Sequence, residues 1–206
     1  MKILTLQSLL TLILVNTDKE YVLIEPSITC PPIIGFVGSR SFNDFKKNVN
    51  IVPRQWPPQK PSGLVHGGFV SKLESLILKN TEIKDFSNTY DDILITGHSL
   101  GGAISTLFAS SLKENNKRIH SVHTFGAPPL ALKEFKLFYK KQGLYSSTFR
   151  YTTPRDPVTN LVPVYEHLGN KILLPFEGSS RLDHHDMGTY KNLISDMEVG
   201  NWIIHP

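Results

Sequence analysis

One serine in this sequence stands where its hydroxyl could do chemistry. Gly97-His98-Ser99-Leu100-Gly101-Gly102 directly follows the apolar run Ile93-Leu94-Ile95 and precedes a stretch with helical spacing. A serine at a tight strand-to-helix turn has a strained backbone that pushes its hydroxyl outward, and glycines two residues either side remove side chains that would collide there. The helix behind it points free amides and its positive dipole end at developing negative charge, which makes the amide of Leu100 a candidate oxyanion donor. The plain alternative is a glycine-rich turn that only packs a helix on a strand.

Serine at its free pKa is a poor nucleophile, so acyl transfer needs a histidine to take its proton and a carboxylate to hold that imidazole in the right tautomer. With a serine at such a turn, the carboxylate and then the histidine follow in the chain. Asp156, in Arg155-Asp156-Pro157-Val158, follows a strand-like run ending at Tyr151. Taken alone it also fits an ordinary turn aspartate. Two histidines, His184 and His185, lie side by side within Asp183-His184-His185-Asp186-Met187-Gly188-Thr189-Tyr190, and the residues by themselves leave the choice of base open. His98 reads as a packing and hydrogen-bonding residue, because neighbouring side chains diverge in this turn. Asp183, His184, His185 and Asp186 crowd together in sequence, but adjacent residues point apart and rarely share an ion, so no metal is expected. With no phosphate loop and no dinucleotide fingerprint, no cofactor is expected either.

These residues must be held by a rigid frame. Residues 21–24, 33–37, 93–96, 121–125, 147–151 and 171–174 read as strands, and 71–79, 100–113 and 130–141 as helices, with Ser71 and Glu74 offered as a capping box. Prolines at 53, 57, 58 and 61 mark residues 52–63 as a surface loop able to serve as a flap. Alternating strands and helices predict an α/β class with a mostly parallel central sheet flanked by helices, whose ligands bind at the carboxyl ends of the strands.

A chain of 206 residues with 40% hydrophobic content is expected to form a single domain over residues 1–206. The formal charge of +4 is scattered, and its tight runs Lys46-Lys47 and Lys140-Lys141 read as solvated faces, so no nucleic acid and no obligate protein partner are expected. Cys30 is the sole cysteine, which excludes an intrachain disulfide. Residues 1–17 have two readings. Lys2 and the apolar stretch 3–15 outline a signal peptide, implying secretion, while Leu6, Leu9, Leu10 and Ile13 at helical spacing outline a packed helix, implying an intracellular protein. The absence of a small-residue cleavage site before Asp18 favours the helix.

The ordered set Phe36-Val37-Gly38-Ser39-Arg40-Ser41, Val65-His66-Gly67-Gly68-Phe69, Gly97 to Gly102, Thr124-Phe125-Gly126-Ala127-Pro128 and Asp156-Pro157-Val158 with Pro163 resembles the class 3 lipases, the fungal-type triacylglycerol lipase family. The resemblance spans residues 33–190 and implies a compact α/β-hydrolase fold. It makes Ser99 the nucleophile, Asp156 the orienter and, through the spacing to Met187 and Tyr190, His185 the base. Ser39 and Leu100 become the oxyanion hole, with His66 and His167 in supporting places. Valine at position 37, where the family usually has arginine, departs from the pattern.

The reaction so implied is hydrolysis of lipid carboxylic esters through an acyl-enzyme, with a lipid or other ester as substrate and transient contact with a lipid surface. Residues 41–48, with Phe42 and Phe45, read equally as an amphipathic lid and as a surface helix. A phospholipase or lipid acyltransferase with the same residues, and a non-catalytic lipid-binding relative, remain as alternatives.

Overall fold

The computed structural model describes residues 19–38, 52–58 and 60–199. Eight strands and five helices follow one another along these residues. They are β1 (Tyr21–Ile24), β2 (Ile33–Phe36), β3 (Pro53–Gln55), β4 (Leu64–His66), α1 (Gly67–Lys79), α2 (Thr81–Thr89), β5 (Ile93–His98), α3 (Leu100–Glu114), β6 (Ile119–Phe125), α4 (Lys133–Lys141), β7 (Thr148–Thr152), β8 (Asn170–Leu173) and α5 (Met187–Val199).

Six strands form one sheet in the order β1-β2-β5-β6-β7-β8. Only β1 runs antiparallel to its neighbour. The central strand β5 is buried along Ile93 to Gly97, which is why it reads as an apolar run rather than an alternation. Register sets the two faces. Val122 of β6 joins the larger core with Leu73 of α1, Leu107 of α3 and Phe135 of α4, while Phe125, three residues on, joins Tyr151 and α5 residues Met187, Tyr190 and Ile194 on the other face. Helices therefore cover both faces, and the parallel strands end at a common edge.

Three expectations are corrected. Helix α1 starts at Gly67 rather than residue 71; His66 is its N-cap without a side-chain bond, and Glu74 pairs bidentately with Arg54 at 2.7 and 2.9 Å instead of closing a capping box. The proline-rich stretch is not all loop, since β3 pairs with β4 in a separate two-stranded sheet, where Pro53 opens the strand. Beyond it Trp56, 3% exposed, donates from its indole to the Leu107 carbonyl at 3.2 Å and pins the segment to α3. Helix α4 begins at Lys133, because Leu130 and Ala131 instead bond in extended form to Glu166. The N-terminal segment 1–17 and the stretch 41–48 lie outside the described residues. Among the described residues no helix is long and apolar enough to cross a membrane.

Candidate active site

Ser99 sits between the last residue of β5 and the first of α3 with φ 55° and ψ −127°. A non-glycine residue there is strained by on the order of 1–3 kcal/mol, so its surroundings must impose it. Its amide donates to Phe125 O at 2.8 Å, and its carbonyl accepts from Gly102 N at 3.0 Å. The flanking glycines admit no side chain. A Cβ on Gly97 would come within 2.4 Å of Gly101, and one on Gly101 within 2.1 Å of Phe36 O. The turn is thus wedged between β2 and its own helix, with Ser99 only 7% exposed.

Asp156 and His185 approach on the loops that follow β7 and β8. Asp156 follows β7 and is 1% exposed. Its Oδ1 accepts from Val158 N at 2.8 Å and its Oδ2 from the Tyr190 hydroxyl at 2.7 Å. Both oxygens face His185 Nδ1, at 3.0 and 2.9 Å. On the other side of the ring, His185 Nε2 lies 3.0 Å from Ser99 Oγ. With Nδ1–H donating to the carboxylate, Nε2 is left as an acceptor toward the serine hydroxyl. Burial, then the charge and hydrogen bond of Asp156, raise the Tyr190 phenol well above 10, so it stays a donor.

His98 holds the backbone of the same histidine: its Nε2 lies 2.9 Å from His185 O, the rings 4.7 Å apart. Burial, followed by the His185 ring, lowers its pKa from the ordinary 6.5 to about 4, so near neutral pH it is an uncharged donor. Gly126 makes room for the pair. It has φ 56°, and a Cβ there would lie 2.6 Å from Asp156 Oδ2 and 3.0 Å from His185 Nδ1.

Of the residues named from sequence, the structure brings Ser99, Asp156 and His185 into one hydrogen-bonded chain and places Leu100 at the first turn of α3. An amide at that position has no carbonyl partner within its helix. Ser39 lies outside the described residues; Gly38 before it abuts the turn, since its Cβ would lie 3.1 Å from Ser99 Cβ. Val37 packs against the cluster of Phe125, Tyr151 and Tyr190. His184 is fully buried and faces Arg155 and Gly178. His167 bonds Thr159 O at 2.9 Å, and His66 stacks on Phe69 at 3.9 Å, both apart from the chain. Asp183 and Asp186 accept from the Ser180 and Thr189 amides, so the acidic and imidazole groups of this segment point in different directions. Among the described residues no group of three or more His, Cys, Asp or Glu is placed to hold a metal. The roles of Tyr190 and Gly126 were not assigned from sequence. The only signal for them was their place in the Tyr190 and Gly126-Ala127-Pro128 motifs.

Residues 33–166 match the family model for lipase (class 3). The chain belongs to the class 3 lipase family. It is 37% identical over 89 residues to triacylglycerol lipase OBL1 of Arabidopsis thaliana, covering 37% of this chain and 17% of that protein. It is 32% identical over 150 residues to the chloroplastic phospholipase A(1) DAD1 of the same plant, covering 63% and 33%. Identity to a secreted mono- and diacylglycerol lipase of Fusarium solani is 30% over 109 residues, covering 50% and 32%. The chain thus spans a third or less of these curated relatives. Solved lipase structures share the fold: that of Rhizopus microsporus var. chinensis has a TM-score of 0.64 at 22% identity over 75% of this chain and 56% of its own, and the Rhizomucor miehei triacylglyceride lipase 0.59 at 21% over 84% of each. The α/β-hydrolase fold of this class 3 lipase family member is the one its motifs imply. His185 and Tyr190 lie beyond the segment that the family model matches.

Proposed function

We propose that this chain is a serine ester hydrolase acting on the acyl esters of lipids, with Ser99 as nucleophile, His185 as base and Asp156 as its orienter. The observation that carries the reading is the unbroken Ser99–His185–Asp156 contact at 3.0 and 2.9 Å on a strained strand-to-helix turn. Ser99 Oγ attacks the ester carbonyl carbon as its proton passes to His185 Nε2. The tetrahedral oxyanion is held by the Leu100 amide and by Ser39, the position named by family resemblance. Each such donor contributes on the order of 3 kcal/mol at the transition state. Collapse expels the alcohol, which takes the proton from His185. Water, deprotonated by the same ring, then releases the fatty acid and restores Ser99.

A lipid substrate is supported by the family and by two exposed apolar side chains. Leu173 at the end of β8 and Leu182, three residues before His185, are 54% and 58% exposed, apolar surface available for transient contact with a lipid surface. The relatives named above act, by name, on triacylglycerols, mono- and diacylglycerols and phospholipids, so the head group is the variable to test.

The test is hydrolysis of p-nitrophenyl butyrate and palmitate together with labelling by a fluorophosphonate. Ser99→Ala and His185→Ala are each expected to lower kcat by roughly 10³-fold or more while staying folded, with labelling lost in Ser99→Ala. A folded wild type that neither cleaves these esters nor takes the label would sink the proposal and favour a non-catalytic lipid binder.

A further inference from the structure

The residue preceding Asp156 and the residue preceding His185 are bonded to each other. Arg155 Nε lies 3.2 Å from His184 Nε2, and the Arg155 amide donates toward His184 Nδ1 at 3.4 Å. The guanidinium continues past the ring: its Nη2 donates to Gly178 O and, at 3.4 Å, to Ser179 O. His184 Nε2 is also 3.2 Å from Gly178 O. With the proton on Nδ1 the ring accepts from the guanidinium at Nε2, and with the proton on Nε2 it donates to Gly178 O and accepts from the Arg155 amide at Nδ1. Either tautomer therefore ties the ring to Arg155 through one bond. The His184 carbonyl accepts from Thr153 Oγ1 at 2.5 Å, and Phe176 meets its ring edge-on at 4.8 Å.

We infer that Arg155 and His184 form a clamp that fixes the His185 turn against the Asp156 loop, and that both are positioning residues for the reaction proposed above. Without it, little regular structure connects the two. Residues 174–182 contain neither helix nor strand, and His185 itself sits on a single 3-10 turn, Asp183–His185, closed by His185 N to Leu182 O at 3.0 Å. Short irregular segments with few backbone bonds open at low free energy unless side chains hold them. Arg155 is suited to the task because its fork reaches the ring and two carbonyls at once, which a lysine ammonium on a flexible stem does not do. Since adjacent residues on such a turn point in different directions, His184 anchors inward while His185 is presented to Ser99.

This inference rests on the hydrolase reading for its kinetic consequence but not for its structural one, so the experiment reads them separately. Fluorophosphonate labelling of wild-type Ser99 judges the hydrolase reading. The clamp is judged by amide hydrogen exchange in wild type, Arg155→Ala and Arg155→Lys; Arg155 is exposed, so these variants should fold. Exchange over residues 178–186 should rise roughly tenfold or more in both variants, with β5 and α3 unchanged. On p-nitrophenyl butyrate, kcat should fall roughly tenfold to a hundredfold while KM stays within about twofold, as a displaced base would produce. Arg155→Ala combined with His184→Ala should be no worse than the poorer single variant. Unchanged exchange in Arg155→Ala overturns the clamp. Raised exchange with kcat unaltered, or losses that multiply in the double variant, overturns the positioning role.

Discussion

The two halves of this site are held by different means. On the nucleophile side, Ser99 is fixed by backbone and by the absence of side chains: neighbours in sequence, glycines pressed against Phe36 and against each other, and a helix that begins at once. On the acid–base side, Asp156 and His185 come from loops 29 residues apart; the Tyr190 hydroxyl and the Val158 amide hold Asp156, and Thr153 and Arg155 hold His184 beside the base. One half is rigid because nothing larger fits, and the other because polar groups are mutually satisfied. The first should fail when volume is added and the second when a partner is removed.

The sharpest test is Asp156→Asn. The amide keeps the shape but offers an N–H where His185 Nδ1–H needs an acceptor, so the ring turns or adopts the tautomer that cannot take the Ser99 proton. If the proposed triad operates, kcat on p-nitrophenyl butyrate should drop by about 10⁴-fold. Steady-state kinetics checks this, and a loss below tenfold would break the assignment of Asp156. On the other half, Gly101→Ala forces a Cβ to within 2.1 Å of Phe36 O, and backbone cannot step aside as a flexible side chain could. The expected cost is roughly 3 kcal/mol of stability or more, read from the urea midpoint. A variant as stable as wild type would show that the turn is not wedged.

The same difference decides what was legible beforehand. The Ser99 turn was readable because its causes are local: an apolar strand, glycines at two positions and a helical run. The central strands were readable for the same reason. Helix α2 was missed because TEIKDFSNT is mostly polar and buries only Ile83, Phe86 and Ser87. Helix α5 was missed because its inward face, Met187, Tyr190 and Ile194, acquires meaning only against Phe125 and Tyr151 from distant strands. Proline count hid β3, whose first residue needs no donor. For the base, the residues alone left His184 and His185 equal; the family register chose between them, and the distances to Ser99 and Asp156 support the same one. What His184 does was invisible, because its partner Arg155 is 29 residues away.

His98 links the halves, standing one residue before Ser99 and donating to the backbone of His185. Its pKa is lowered by burial from 6.5 to about 4. Between those values the unfolded chain takes up a proton that the folded chain refuses, so the neutral ring's contribution to stability is fully present above pH 6.5 and is lost as the pH falls toward 4. His66, which is buried, and His123 and His167, which are partly buried, are also lowered to about 4 by loss of solvent and act in the same direction. Urea midpoints should therefore fall between pH 7 and 5. His98→Gln, which keeps a donor without the titration, should flatten that dependence by up to about 1.4 kcal/mol per pH unit. An unchanged slope would mean that His98 takes up its proton as readily in the folded protein as in the unfolded chain.

Tyr190→Phe has a far smaller expected effect on activity than Asp156→Asn, and it separates the two halves most cleanly. The change deletes one oxygen and leaves the ring packed on Phe125, so the α5 face and the Ser99 turn should be untouched. Two bonds disappear: the donation to Asp156 Oδ2 at 2.7 Å and the acceptance from Thr153 N at 3.3 Å. A buried amide and a buried carboxylate oxygen each lose a partner, at a stability cost of about 1–3 kcal/mol. Asp156 still keeps the Val158 amide and His185, so its orientation loosens rather than collapses. Activity should fall roughly tenfold, far less than for Asp156→Asn, with KM unchanged. Thermal unfolding beside steady-state kinetics checks both numbers. Full activity with lowered stability would make Tyr190 a packing residue, whereas a loss as large as that of Asp156→Asn would mean that the phenol, and not the Val158 amide, sets the direction in which the carboxylate points.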